Sequence, residues 1–516
     1  MATVGKNILD NLTTGMYSDS KVIYREYIQN ACDQIDIAIR ENILKEGDGL
    51  VDIFIDATRR YISIEDDATG VRQAVFVSDL GDIANSNKTI GKNKGFRGIG
   101  RLCGLAYCKT LKFSTSYKGE AVKSIMICNA VKMREMLVED KKYTLDEIWE
   151  EIVTFETKPE EESKHYFKVE LIDINKENTD LLDTQKVRDY LSFVAPVPYK
   201  NTFYMSSQIY GHAKELGYKI DEYTVKVNGK DIFKEYTTRL KEPSGNSLKN
   251  YDEISRLEFK DFRDENDNLI AWMWIGLSRF EKQIPKVNMM RGLRLRSSNI
   301  QLGNDDVLQE LFKESRGNYY FVGEVFAVDK RLVPNSQRDY FNENATRVLL
   351  EDSLRMYFYD VLHKIYYDAN KIKNAYRKQE DYISKVEEFT KKSETGFVNE
   401  EEKQKLQYDI EKAKKEAADA RKQLGKFSSG TENSPIDAVY KNIGRKFDAD
   451  KLTKTAEDTE VKVDDKTDGK KYITSGMSKL TRNERKIVNK ILTIITDNAP
   501  KDVAEKIIEK IKEEMR

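Results

Sequence analysis

The chain has 516 residues, 39% apolar and 34% charged, with a formal net charge of −1. That length suits about two to four domains with adequate cores, and the balanced charge excludes a global basic field for nucleic acid, leaving only local patches. Three histidines and four cysteines without metal-ligand spacing exclude a multi-histidine or cysteine-rich metal centre. The cysteines (Cys32, Cys103, Cys108, Cys128) sit in apolar contexts and read as reduced, buried thiols of a cytoplasmic protein. Residues 1–20 hold no apolar leader, and no stretch is long enough to span a bilayer.

The first element is a helix over about residues 19–42. Within it, YREYIQNACD places Glu26, Asn30 and Asp33 on one face, at about 100° per residue. Val22, Ile23, Tyr27, Ile28, Ala31 and Ile35 form the apolar face that docks it on a sheet. A carboxylate and a carboxamide one turn apart can act jointly: the first takes a proton from water, the second offers a hard oxygen ligand suited to Mg²⁺. An ordinary amphipathic helix would carry the same polar face, so the case rests on residues further along the chain. VDIFID (51–56) and YISIED (61–66) read as a hairpin around Arg59-Arg60. The second strand runs into Asp66-Asp67-Ala68-Thr69-Gly70, which puts a carboxylate at a sheet end, where it can accept from an exocyclic amine. Residues 72–94 lack a regular pattern. GFRGIGRLCGLAYC then brings Gly95, Gly98 and Gly100 ahead of an apolar run, Leu102 to Ala106, that reads as a helix. Glycines before a helix let backbone N–H groups approach phosphate oxygens, and Lys92, Lys94, Arg97 and Arg101 add positive charge. No Walker or dinucleotide-binding fingerprint occurs in the chain.

This order resembles the Bergerat ATP-binding fold of the GHKL superfamily, the group of gyrase, Hsp90, histidine kinases and MutL. REYIQNACDQID is most similar to Hsp90, and GFRG is also similar to the MutL lid. The resemblance implies that Glu26 is the general base for water, that Asn30 binds Mg²⁺, and that Asp33 shares the nucleotide face. It implies that Asp66 reads adenine and that Gly70 closes the turn beneath the base. Lys92, Gly95, Arg97, Gly98, Ile99 and Gly100 would hold the phosphates. The family usually has glycine where Ala68 stands. It often has Gly-Thr where His165-Tyr166 stand, so no residue is carried over there.

Further on, EYTVKVNGKDI (222–232) reads as strand–turn–strand about Asn228-Gly229. LIAWMWIGL (269–277) and YYFVGEVFAVD (319–329) read as buried strands, and GLRLRSSNIQLG (292–303) as a half-exposed strand alternating apolar and basic residues. This run resembles the middle or transducer domain that follows GHKL domains. In Hsp90 an Asn and, three residues on, an Arg reach the γ-phosphate, and Asn335-Ser336-Gln337-Arg338 fits that spacing. Arg338 would act as an arginine finger. Lys286 is the alternative trigger, as in MutL and gyrase. From about Glu343 the chain is helical, and two heptad stretches around Thr395-Gly396 suggest an antiparallel hairpin.

The expected fold class is α/β. A Bergerat-type sandwich spans 1–203, and a ribosomal S5-like transducer domain spans 204–370. A coiled-coil hairpin (371–426), a flexible linker (427–475) and a helical tail (476–516) complete the chain. The implied function is an Hsp90-like ATPase using ATP and Mg²⁺ for lid closure and homodimerisation, as a chaperone-like or switch component. A protein client or complex partner would dock on the coiled coil and tail, with no membrane. The alternatives are a MORC- or MutL-like nucleic-acid-handling ATPase and a nucleotide-gated scaffold of a bacterial anti-phage complex. A histidine kinase is rejected, because no histidine precedes His165. A topoisomerase subunit would need a partner carrying the DNA-cleaving tyrosine.

Overall fold

The computed structural model describes residues 6, 9, 19–82, 100–428, 434–450, 452, 455 and 481–515. The chain divides into two compact units. One comprises Met1–Gly276 with Lys282–His363, the other Leu277–Glu281 with Lys364–Arg516.

In the first unit, helix α1 (Val22–Arg40) precedes the hairpin β1 (Leu50–Asp56) and β2 (Tyr61–Asp66). A short helix α2 (Gln73–Gly81) and a 3₁₀ turn (Gly100–Ala106) lead to β3 (Cys108–Ser116) and β4 (Val122–Asn129). Then come α3 (Ala130–Val138), α4 (Leu145–Ile152), β5 (Val153–Pro159), β6 (Tyr166–Ile174), α5 (Thr184–Val194) and α6 (Ser206–Glu215). With β7 (Thr224–Val227) and β8 (Lys230–Asp231) the strands form one eight-stranded sheet, ordered β5-β4-β3-β6-β2-β1-β7-β8. All its pairings are antiparallel except β1 with β7. In β1 the residues Val51, Ile53 and Ile55 are buried while Asp52 and Phe54 face outward, the alternation of a sheet covered on one side. Helix α1 lies on the covered side, where Ile23, Tyr27, Ile28, Ala31 and Ile35 join those strand residues in one core. Asn228 and Gly229 adopt φ of +49° and +73°, as a two-residue turn between right-twisted strands requires.

A second core in the same unit gathers Phe203, Tyr236, Trp272, Trp274 and Phe326. Here β9 (Arg239–Ser244) and β10 (Ser247–Glu253) form a separate ribbon. The strands β11 (Arg256–Arg263), β12 (Leu269–Leu277), β13 (Gly292–Ser297), β14 (Ile300–Leu302) and β15 (Val322–Ala327) form a five-stranded mixed sheet, ordered β11-β12-β15-β13-β14. Helix α7 (Ala345–Tyr357) follows. The fold class is thus mixed α/β, a large mixed sheet followed by another α/β region and helices, as expected.

Three details of the first unit differ from the sequence reading. Residues 73–81, read as patternless, are helical, and the Leu102–Ala106 run is a 3₁₀ turn. Strand β13 is not half-exposed: Arg294 is 6% and Arg296 0% exposed. The basic side chains go inward because each finds partners there. Arg296 Nε donates to Glu324, and Arg294 donates to Gln301 at 2.8 Å with its guanidinium 4.3 Å from the Phe193 ring. Charge alone is therefore a poor guide to exposure in this strand.

The second unit is helical, with α8 (His363–Thr395), α9 (Glu400–Ser428), α10 (Pro435–Lys446), α11 (Arg482–Asn498) and α12 (Lys501–Glu514). Ile383 and Val386 of α8 share an apolar cluster with Leu406, Ile410, Ala413 and Ala417 of α9, the positions that step by four and three in the sequence. Part of the stretch read as a linker is helix α10, capped by Ser434 and burying Val439 and Ile443. Thr481 and Glu484 form the expected capping box at the start of α11.

Candidate functional site

The site is built on α1. Tyr27 fixes this helix against the following turn: its hydroxyl donates to Arg101 O at 2.9 Å and accepts from Gly104 N–H at 3.1 Å. Glu26, on the adjacent side, is 5% exposed although charged. A methyl group on Gly100 would lie 2.6 Å from Glu26 Oε2, so alanine there would displace the end of the carboxylate. Glu26 Oε1 lies 3.2 Å from Arg338 Nε and 3.5 Å from Arg25 Nη2, but accepts no hydrogen bond of good geometry among the described residues.

Arg338 reaches Glu26 from a loop more than three hundred positions away in sequence. Its φ of +55° is uncommon for a residue with a side chain. The surrounding bonds hold that conformation. Arg338 O accepts from Gly303 N at 3.0 Å and from Arg25 Nη1 at 3.4 Å, and Arg25 Nη2 donates to Gln337 O at 3.1 Å. Arg25 thus docks the loop with its guanidinium while its neighbour Glu26 meets the loop's own arginine. Asn335 donates to Asp339 within this loop, and its Oδ1 has no partner among the described residues. The alternative trigger, Lys286, is exposed on the 285–291 turn and makes no ion pair or side-chain hydrogen bond among the described residues.

The other end of the site is the turn after β2. Asp66 is 4% exposed, and its Oδ1 accepts from Ala68 N at 3.1 Å, so the side chain folds its own turn. Ala68 O accepts from His165 Nδ1 at 2.7 Å, which fixes the proton of that ring on Nδ1. Gly70 has φ +68°, and a Cβ there would sit 1.9 Å from Ser116 O. Beneath it, Thr115 is fully buried: its Oγ1 accepts from Val71 N at 2.9 Å and donates to Tyr166 O at 2.7 Å. Glycine is therefore required at position 70, whereas the turn accepts a buried alanine at 68.

Asn30 and Asp33 lie on α1 as expected, Asp33 only 2% exposed. Lys92, Gly95, Arg97, Gly98 and Ile99 lie outside the described residues. Sequence reasoning missed Arg25, Gln29, Thr115 and His165. Gln29 is 1% exposed, and neither of its amide atoms has a partner among the described residues. Nothing in a single sequence marks these side chains, because a threonine in a strand or a glutamine in a helix reads as ordinary surface.

A helix bearing a buried carboxylate and an amide, docked on a mixed sheet whose strand end carries a second buried carboxylate and an obligatory glycine, defines a nucleotide-binding α/β domain of the GHKL type. Residues 17–159 match the family model for the histidine kinase-, DNA gyrase B- and HSP90-like ATPases, and this part of the chain is a domain of that family. Among curated proteins, the chain is similar to the mitochondrial heat shock protein 75 kDa of Bos taurus, 38% identical over 85 residues. That match covers 16% of this chain and 12% of the relative's length. Glu26, Asn30, Asp33, Asp66, Gly70 and Gly100 fall inside the family match; Asn335 and Arg338 fall outside it. No helix among the described residues is long and apolar enough to cross a membrane.

Proposed function

We propose that the chain binds ATP and hydrolyses it to ADP and phosphate, with Glu26 as general base and Arg338 as the cation that stabilises charge on the transferred phosphoryl group. The observation that carries this reading is the convergence of Arg338 and Arg25 on Glu26, a buried carboxylate whose Oε1 accepts no well-formed hydrogen bond among the described residues. A buried acceptor left in that condition costs about 1–3 kcal/mol, a cost that a proton-donating water would relieve. Water attacks the γ-phosphorus, its proton passes to Glu26, and the bond to the β–γ bridging oxygen breaks to release ADP. Arg338 has five donors, enough to serve phosphate oxygens and the carboxylate together. Asp66 accepts from the adenine amine, Gly70 lets the turn close beneath the ring, and Asp33 and Asn335 border the pocket. Lys286 takes no part in this reading.

Among the described residues no group of three or more His, Cys, Asp or Glu can hold a metal. Asn30 offers one hard amide oxygen, which suits an ion carried largely by phosphates and waters, as Mg²⁺ commonly is. When bound, Mg²⁺ would neutralise phosphate charge. The segment outside the described residues, with Lys92, Gly95, Arg97, Gly98 and Ile99, would close over the phosphates together with Gly100, and closure would bring two copies of the chain together. The similarity to a heat shock protein supports a chaperone-like output, acting on a protein client.

The test is calorimetric titration with ATP and Mg²⁺ alongside phosphate release and particle mass. Glu26→Ala should keep ATP binding and lose release, while Asp66→Asn should lose binding. Absence of any adenine-nucleotide affinity would overturn the reading. DNA retention upon addition of a non-hydrolysable ATP analogue would move the output from protein clients to nucleic acid.

A further inference from the structure

Away from the nucleotide site, the first unit contains an open cleft of about 560 Å³ between α5, residues 230–241 and the turn at 287–290. One wall is a rail of charge. Residues 235, 237, 239 and 241 are exposed while Tyr236 and Leu240 are buried, so alternate side chains of this extended stretch point into the cleft. Arg239 and Lys241 stand about 6–7 Å apart at that spacing. Neither they nor Lys230 make an ion pair or side-chain hydrogen bond among the described residues. Arg188 adds a fourth cation: its guanidinium donates only to carbonyls, Lys230 O at 3.0 Å and Asp231 O at 3.1 Å among them, so its charge is positioned but not neutralised. Of the two acids lining the cleft, Glu235 is neutralised by Lys200 at 2.8 Å, and Asp189 accepts from Gln185 at 2.7 Å.

The other wall is aliphatic. Val287 and Met289 are 42% and 40% exposed, on either side of Asn288, which is buried. Asn288 locks the two walls together. Its Oδ1 accepts from Lys241 N and its Nδ2 donates to Lys241 O, both at 2.8 Å, as a paired strand would. The same Nδ2 reaches Pro285 O at 3.1 Å, holding the turn that presents Val287 and Met289. A cationic row and an aliphatic row are thus fixed in register by one buried amide.

We propose that this cleft binds an extended acidic segment of a partner protein, with carboxylates alternating with aliphatic side chains. In an extended chain, residues two apart repeat on one side at the same spacing as Arg239 and Lys241, while the intervening residues face the opposite wall. Acids would meet the cations and aliphatic groups would cover Val287 and Met289. Methionine suits such a surface because it adapts its shape to different apolar partners. A polynucleotide fits less well: it prefers aromatic stacking platforms, and among the described residues the aromatic side chains lining this cleft are the half-buried Phe233 and the buried Phe193. Because the binding needs no nucleotide, its failure and that of the ATPase reading are separable.

The experiment is fluorescence anisotropy of the full chain with a labelled peptide of eight alternating aspartates and leucines, and separately with a labelled twelve-nucleotide oligothymidine. The peptide should bind and weaken with salt, and R239E/K241E should reduce its affinity by about tenfold or more while leaving ATP affinity unchanged. M289S should weaken the peptide without altering the charge of the cleft, and K241E alone should give an intermediate loss if the double variant folds poorly. No binding of the peptide, or binding unchanged in R239E/K241E and K241E, would overturn the proposal. Tighter binding of oligothymidine, lost in the same variants, would assign the cleft to nucleic acid instead.

Discussion

Two of the buried carboxylates in the first unit, Glu324 and Glu26, are solved in opposite ways. Glu324 on β15 is fully buried and its oxygens are saturated. Tyr199, Lys234 and Trp274 donate to Oε2, and Arg296 and Tyr236 donate to Oε1. Lys234 is further held by Asn299 at 2.7 Å and by the Tyr199 ring at 4.3 Å. In that cluster only Arg296 Nη2 lacks a partner among the described residues. Around Glu26 the reverse holds: Glu26 Oε1, Arg25 Nε, both amide atoms of Gln29 and Asn335 Oδ1 are all buried without one. A saturated network fixes one core arrangement; an unsaturated one spends folding energy on groups that a ligand can use. On the proposed reading, that contrast divides a structural cluster of charge from one kept for a ligand.

Variants sharpen that contrast. Arg338→Ala should lower ATP turnover by about 10³-fold or more, as loss of an arginine finger does, while Lys286→Ala should leave it nearly unchanged; steady-state phosphate release measures both. Equal effects would erase the distinction between the paired and the solvent-facing cation. Glu26→Gln should cost about 10²–10⁴-fold in turnover and less in unfolding free energy than loss of Glu324, because Arg25 keeps the carbonyls of Arg338 and Gln337 as partners. Glu324→Ala should behave oppositely. It strands Lys234 and Arg296 as buried cations, a loss of about 3–5 kcal/mol by urea unfolding.

Acid should expose the same difference. Burial opposes ionisation of Glu324, but Arg296 and Lys234 outweigh it and hold the carboxyl down to about 2. An unfolded glutamate titrates at about 4.3. Between those values the unfolded chain binds a proton that the folded chain refuses, so the contribution is complete above the unfolded value and drains away as pH falls toward the folded one. Urea midpoints of the parent chain should fall more steeply within that range, from about pH 4.3 down to about 2, than those of Glu324→Gln.

The legible part of this molecule was what periodicity and local chemistry carry. The face bearing Glu26, Asn30 and Asp33, the β1–β2 hairpin, the Asn228-Gly229 turn and the apolar steps of α8 and α9 follow from spacing alone. What was illegible depended on long-range pairing. Arg294 and Arg296 look like solvent-facing bases until Glu324, Gln301 and Phe193 are brought beside them. Helix α10 was hidden in a polar stretch because only Val439 and Ile443 mark its buried side. Arg25 and Thr115 act through backbone carbonyls and amides, which leave no trace in residue type. The Asn335–Arg338 spacing suggested the loop through a resemblance, yet only the fold brings its arginine to Glu26.

The smallest and most pointed change is Gly100→Ala. The added methyl would meet Glu26 Oε2 at 2.6 Å, and its nearest neighbours are all atoms of that one side chain. The clash is with the end of a side chain, so it is the side chain that yields. A carboxylate end can swing aside cheaply, so unfolding free energy should change by less than about 1 kcal/mol. Displacing a reacting group by about 1 Å can cost up to about 10²-fold in rate. Turnover should therefore fall by about ten- to a hundredfold with ATP affinity retained. Gly70→Ala offers the matching control at the other end of the pocket. There the methyl meets a backbone carbonyl at 1.9 Å in a left-handed turn, so about 1–3 kcal/mol of stability should go first and nucleotide affinity with it. If Gly100→Ala instead destabilised the fold and spared the rate, the carboxylate it touches would belong with Glu324 among the structural acids.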